Sequence, residues 1–185
     1  MDEVTSALQK CIRRGLEREA LYWASELHLA GYGQYLWKRL RIIASEDVGL
    51  ADPHLPATIY ALYQNWSSLR KEEKDRPPDQ SDSTLFVVHA VLLLARAAKS
   101  RMVDHALYAV YRGDRPRLQV PDWALDCHTR RGRQMGRTEA NYWDETYRLQ
   151  GRALPDPYED EARAAARSEA RGKAGQRKPG QLKLG

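Results

Sequence analysis

Apolar residues recur every three to four positions along this chain, and no stretch alternates strictly enough to make a half-buried strand, so the pattern predicts an all-α fold. A first helix is predicted over residues 4–14, ending before Gly15, and a second over 16–30, with Ala20, Trp23, Leu27 and Ala30 on one face and Gly31 as its stop. Leu36, Leu40 and Ile43, joined by Trp37 and Ala44, mark a third. From Pro53 a fourth shows the stripe Leu55, Ile59, Leu62, Trp66 and Leu69. The charged, proline-bearing "RKEEKDRPPDQSDS" predicts a mobile loop. "TLFVVHAVLLLARAA" is apolar almost all the way round, which predicts a helix enclosed by others at the centre of the core. "SRMVDHALYAVYRG" adds a sixth helix, with Val103, Ala106, Leu107 and Val110 expected to face inward and Gly113 to close it.

Beyond Asp114 the prolines at 116, 121, 155 and 157 break the pattern, leaving short helical pieces around 123–135 and 138–150. After Pro157 the chain is Ala/Arg/Glu-rich and then Gly/Lys-rich. The expectation is a compact multi-helix domain over 1–113, a partly helical extension over 114–157 packing on it, and a basic, disordered tail over 158–185.

Charge sharpens this division. Residues 1–111 hold 14 basic and 14 acidic side chains, residues 112–160 hold nine of each, and the whole net charge of +5 falls in 161–185. Overall balance in the folded part weighs against a domain that is a nucleic-acid-binding surface throughout. The tail, ending "RGKAGQRKPGQLKLG", suits loose polyanion contact or simple solubilisation. No segment approaches the roughly 20 apolar residues of a membrane helix, and the N-terminus lacks the basic-then-apolar order of a signal peptide. A cytoplasmic protein without membrane contact is expected. Cys11 and Cys127 stand far apart, outside any zinc-type spacing, and read as reduced thiols.

Motifs for catalysis or cofactors are missing. No phosphate-binding loop occurs, the "GYG" at 31–33 merely separates two helices, and the five histidines make no metal-type pair. No cofactor and no small-molecule substrate are therefore expected, and the chain reads as a non-enzyme.

The most informative string is "SEDVGLADP", residues 45–53. As a helix–helix corner most of it makes sense. Gly49 supplies a positive φ, Leu50 covers the turn, Asp52 caps, and Pro53 takes the first helical position. Glu46 and Asp47 remain, because acids in a last helical turn face the negative end of the helix dipole. They need a partner, and no lysine or arginine lies three or four residues before them. Arg13 or Arg14 of "CIRRG" is the expected partner. A second cluster, "HTRRGRQMGR", puts Arg130, Arg131, Arg133 and Arg137 near Trp123, Tyr142 and Trp143. That is a candidate grip for phosphate or single-stranded DNA, set against a solvated face balanced by Asp122, Asp126, Asp144 and Glu145.

The series "ALQKCIRRG", "ALYWASELHLAG", "LWKRLRIIASEDVGLADP" and "AVLLLARAAKSRMVDHAL" resembles the C-terminal domain of the bacterial RarA (MgsA) replication-associated AAA+ ATPases and of their eukaryotic relative, the Werner-helicase-interacting protein. The likeness spans residues 7–112. "AAKS" at 97–100 stands where the family has "APKS", and the arginine cluster inherits nothing. The resemblance implies a fold similar to the clamp-loader collar, an oligomerisation role as a tetramer, and a place in DNA replication, recombination or repair. Ser45, Glu46, Asp47, Gly49, Leu50, Asp52 and Pro53 become a structural signature. In that family the ATPase module precedes this domain, and the chain begins where the domain begins, so ATP hydrolysis is not carried over.

Two functions follow as expectations. One is an interaction module that forms a dimer or tetramer, or docks on a separate AAA+ ATPase, through exposed apolar positions such as Tyr35, Trp37 or Tyr108. The other is a nucleic-acid-binding accessory that holds DNA through the arginine cluster and the tail.

Overall fold

The computed structural model describes residues 1–151 and 155–175, and every regular element among them is helical. The chain divides into two compact units, Met1–Arg115 and Pro116–Gly185.

The first unit begins with α1 (Asp2–Arg14). Acids Asp2 and Glu3 in its first turn and Arg13 and Arg14 in its last complement the helix dipole, and Thr5, Leu8, Gln9 and Ile12 form its buried face. Helix α2 (Glu17–Leu29) buries Ala20, Ala24, Leu27 and His28. That face is turned from the expected one: Ala24 and His28 point inward, Trp23 is half-buried and Ala30 is exposed. Helix α3 (Gly33–Ile43) buries Leu36, Trp37, Leu40 and Ile43, then widens into a π-helical turn, Ala44–Val48. Helix α4 (Leu55–Glu72) and helix α5 (Thr84–Arg96) complete the core. At its centre the rings of Trp37, Tyr63 and Trp66 lie 5.8 to 6.2 Å apart, close enough for favourable edge and offset contacts.

Four local expectations are corrected. Helix α4 starts at Leu55, not at Pro53. The Asp52 carboxylate accepts the His54 N–H at 3.1 Å in a turn, and Pro56 takes the first-turn position instead. Leu50 does not cover its corner and is 63% exposed. The charged loop after α4 is fastened: the Glu73 carboxylate accepts the Ser81 hydroxyl at 2.6 Å and the Ser83 N–H at 3.4 Å, and pairs with Arg76 at 3.0 Å. The Ser81 hydrogen bond leads in holding the Glu73 pKa below its ordinary value.

Helix α5 is one-sided rather than enclosed. Val87, Ala90, Val91 and Leu94 are buried, while Leu85 is 69% and Val88 37% exposed. An all-round apolar sequence permits enclosure, but only enough neighbouring helices can supply it.

The largest departure is α6 (Met102–Ala106), which continues as a π-helical stretch, Leu107–Arg112. None of its residues is buried. Val103 and Leu107 are each 40% exposed and Val110 is 55% exposed, where all three were expected in the core.

In the second unit, α7 (Arg130–Gln134) is capped by Thr129, whose hydroxyl accepts the Gly132 N–H at 3.0 Å. Gly132 is obligatory, since a Cβ there would stand 1.9 Å from the Asp126 carbonyl oxygen. Helix α8 (Glu139–Thr146) opens with a Thr138/Asn141 capping box. Helix α9 (Glu159–Gly175) replaces much of the expected disordered tail. Its Ala/Arg/Glu composition has high helix propensity, acids fill its first turn, and Arg163 lies over the Tyr147 ring at 4.1 Å. Residues 176–185 of the expected tail lie outside the described residues.

Candidate functional site

The 3.6-residue period that buries Leu36, Leu40, Ile43 and Ala44 also carries Asp47 inward, and the Asp47 side chain is fully buried. A buried carboxylate must be paired and hydrogen-bonded. Asp47 has three donors. Arg13 Nε lies 2.6 Å and Arg101 Nη1 2.9 Å from Oδ1, and Gln9 Nε2 donates to Oδ2 at 3.0 Å. Gln9 is held for this by Arg39, which donates to its Oε1 at 2.6 Å. Glu46 joins at the rim, 3.1 Å from Arg101 and 3.5 Å from Arg13. Arg101 also pairs with Asp104 in the first turn of α6.

Of the two arginines expected to pair with this corner, Arg13 does so. Arg14, one residue further round α1, donates to the Lys10 carbonyl at 3.2 Å instead. Gln9 and Arg13 are four residues apart and share a helix face, which excludes Arg14 by geometry. Arg101 was not foreseen. It is 54 residues from Asp47, and no local spacing signals it.

Asp47 also acts through its backbone: its carbonyl accepts the Ser100 N–H at 2.9 Å. The segment between α5 and α6 is thereby tied to the corner by main chain and side chain together. Lys99 donates to the carbonyls of Ala95 and Ala97, closing the end of α5, and burial pushes its pKa down. Gly49 holds φ at 48° beside Val103, where an added Cβ would come within 3.0 Å of Cγ2. Ser45 is exposed and lines a cavity of about 520 Å³ with Lys38, Arg41, Ile42, Val103 and Leu107 and with the two acids Glu46 and Asp104.

The three expected interface residues separate. Trp37 is corrected outright, being fully buried in the aromatic centre. Tyr35 is half-buried, with its hydroxyl 3.4 Å from that of Thr5. Tyr108 is 53% exposed beneath the Arg112 guanidinium, on an element whose Met102, Leu107, Val110 and Tyr111 are exposed as well.

The arginine cluster is divided in the same way. Arg137 pairs with Asp122, and Arg133 donates to the His128 carbonyl at 2.8 Å. Arg130 and Arg131 are exposed and form no ion pair among the described residues. Asp126 accepts the His128 N–H at 2.9 Å, and the His128 ring packs edge-on against Tyr142. Among the described residues no group of histidine, cysteine or acidic side chains is arranged to hold a metal ion, and no helix is long and apolar enough to cross a membrane.

The first unit is thus an all-α bundle whose central corner is clasped by two arginines around one buried carboxylate. Comparison with known proteins assigns it more narrowly. The family described as MgsA AAA+ ATPase C terminal matches residues 17–162, and the chain belongs to that family. Replication-associated recombination protein A of Escherichia coli (strain K12) is 32% identical over 129 residues, covering 69% of this chain and 26% of that protein. The Haemophilus influenzae protein of the same name is 30% identical over 130 residues, covering 69% and 26%. That of Bacillus subtilis (strain 168) is 28% identical over 162 residues, covering 84% and 36%. The chain therefore spans only about a quarter to a third of the length of these relatives.

Proposed function

We propose that this chain is a non-enzymatic association module acting in replication-associated recombination, and that it joins either a second copy of itself, as a dimer or tetramer, or a separate AAA+ ATPase. The observation that carries this reading is the exposure of the apolar side chains of residues 102–112. Met102, Val103, Leu107, Tyr108, Val110 and Tyr111 are 40% to 70% exposed on one short helical element. Contiguous exposed apolar surface of this kind marks interaction sites, and aromatic residues and methionine are enriched at interface centres.

The clasp at Asp47 explains why the face is presented rather than collapsed onto the core. Arg101, Ser100 and Val103 are each held against the acidic corner, so the helix leaves it in a fixed direction. The names of the relatives, which describe replication-associated recombination, support the cellular setting.

The test is light scattering coupled to size-exclusion chromatography on the full chain at low and high salt, with Leu107→Glu/Tyr111→Glu as the variant. An assembly that withstands salt and is lost in the variant is expected, because an apolar interface is insensitive to ionic screening. A monomer at every salt concentration that also fails to bind a full-length RarA-type ATPase would defeat the proposal.

A further inference from the structure

The charge balance of residues 1–111 conceals a segregated surface. Helix α3 contains Lys38, Arg39 and Arg41 and no acid; the only acid within α4 is Glu72, and Glu73, which pairs with Arg76, and Asp75 follow in the turn beyond it. On α3, Gln34, Lys38 and Arg41 follow at intervals of four and three. On α4, Tyr60, Tyr63, Ser67, Arg70, Lys71 and Lys74 continue the same helical stripe into the turn beyond. The two stripes face each other. The Tyr63 hydroxyl meets Gln34 Oε1 at 3.3 Å, and the Arg41 guanidinium stands 5.0 Å from the Tyr63 ring and 5.9 Å from the Tyr60 ring. Next to them Gln34, Ser67, Arg70, Lys71 and Lys74 line a cavity of about 300 Å³. The helical period places Glu72 roughly 120° around α4 from Tyr60, away from this face.

Neutralised cations would make this an ordinary solvated surface. Here Lys38, Lys71 and Lys74 form no ion pair among the described residues, Arg70 is half-buried and donates to the carbonyls of Glu73 and Lys74, and Tyr60 is 51% exposed. From Tyr60 to Lys74 the stripe is about 20 Å long at 1.5 Å per residue. Exposed aromatic faces within a line of uncompensated cations are the chemistry that holds an unpaired, stacked polynucleotide.

We propose that the α3–α4 face of the first unit binds single-stranded nucleic acid, with Lys38, Arg41, Arg70, Lys71 and Lys74 on the phosphates and Tyr60 stacking on a base. The site lies within the first unit, and its Lys38 and Arg41 end borders the cavity that Val103 and Leu107 of the 102–112 element also line. Stacking on a ring and charge on phosphates do not read base edges, so binding through these groups is tolerant of sequence. A duplex, whose base faces are closed, gains only the phosphate contacts.

The experiment is fluorescence anisotropy of the full chain with a labelled 20-nucleotide oligo(dT) and with a duplex of the same length, across a potassium chloride titration. For single strands each neutralised phosphate contributes about −0.7 to the log–log salt slope, so five cations predict a slope near roughly −3.5. Lys38→Glu/Lys71→Glu/Lys74→Glu is expected to weaken binding at least about tenfold and to flatten that slope. Tyr60→Ala is expected to weaken oligo(dT) roughly fivefold or more while leaving the duplex unchanged. The milder Lys38→Gln/Lys71→Gln/Lys74→Gln should show the same order with a smaller loss, and circular dichroism establishes that each variant is folded. Arg130→Glu/Arg131→Glu should bind like the parent. The proposal is overturned if the parent does not bind oligo(dT) at low salt. It is equally overturned if Tyr60→Ala has no effect, or if the arginine reversal abolishes binding and the lysine variants do not.

Discussion

Arg101 and Asp47 are 54 residues apart in the chain, and their charged groups meet at 2.9 Å at the end of α3. This contact, shared with Arg13 and Gln9, joins the first helix, the acidic corner and the start of α6 around one carboxylate.

Removing that carboxylate strands two guanidiniums and an amide. Taking away one partner of a buried ion pair costs about 3–5 kcal/mol, and the arginines, each about a third exposed, recover part of it from water, so Asp47→Ala should cost about 3 kcal/mol. Arg14→Ala should stay within about 0.5 kcal/mol, because its guanidinium reaches only the Lys10 carbonyl. Urea denaturation of the full chain checks both. A double-mutant cycle on Arg101 and Asp47 should show coupling of at least about 0.5 kcal/mol.

His28 makes the first unit sensitive to acid. It is buried, its Nε2 faces the Trp66 indole N–H at 3.4 Å, and desolvation followed by the charge of Arg70 depresses its pKa. The unfolded chain protonates this histidine near pH 6.5, before the folded one does. Its stabilising contribution is therefore complete above about pH 6.5 and falls away as the pH drops below that value. The urea midpoint should decline between pH 7 and pH 5, and His28→Gln should reduce the decline. An unchanged slope in that variant would assign the effect elsewhere.

The two apolar sets should respond in opposite ways to substitution. Ile59 is fully buried, so Ile59→Ala should cost about 2–5 kcal/mol of folding stability. Leu107→Glu, on the exposed α6 face, should change the stability of the monomer by no more than about 0.5 kcal/mol while changing the state of association. Denaturation and light scattering on the same samples separate the two effects.

In the second unit, Gly132→Ala drives a methyl group against the Asp126 carbonyl, whereas Gly136, with nothing within 4 Å of an added Cβ, suffers only its positive φ of 75°. Trypsin should cut Gly132→Ala much faster than Gly136→Ala in the segment from Arg130 to Arg137. Equal rates would show that the Thr129-capped turn yields without unfolding.

Individual residues show how far the sequence can be read. The helical period places Leu36, Leu40, Ile43, Ile59 and Leu62 inside, since a helix face is a local property of spacing. The dipole mismatch of Glu46 and Asp47 signals a missing positive partner, and the four-residue step from Gln9 to Arg13 supplies one. Trp37 misleads, because an aromatic residue has the same identity in a core and at an interface. The overall charge balance is silent about individual faces, because summation over residues 1–111 discards which helix face each charge occupies.

The sequence by itself determined the helical class, most of the buried faces, the turn at Gly49 and the family to which the chain belongs. These depend on neighbours within a few residues or on a string that survives as a string. Only the tertiary structure decided that Arg101 completes the clasp, that α5 is covered on one side, that residues 102–112 stand uncovered, and that the α3 and α4 stripes face each other. Each of these depends on which distant elements share a surface. Hydrophobic burial is non-directional, so one apolar stripe fits several partners until the whole packing selects one.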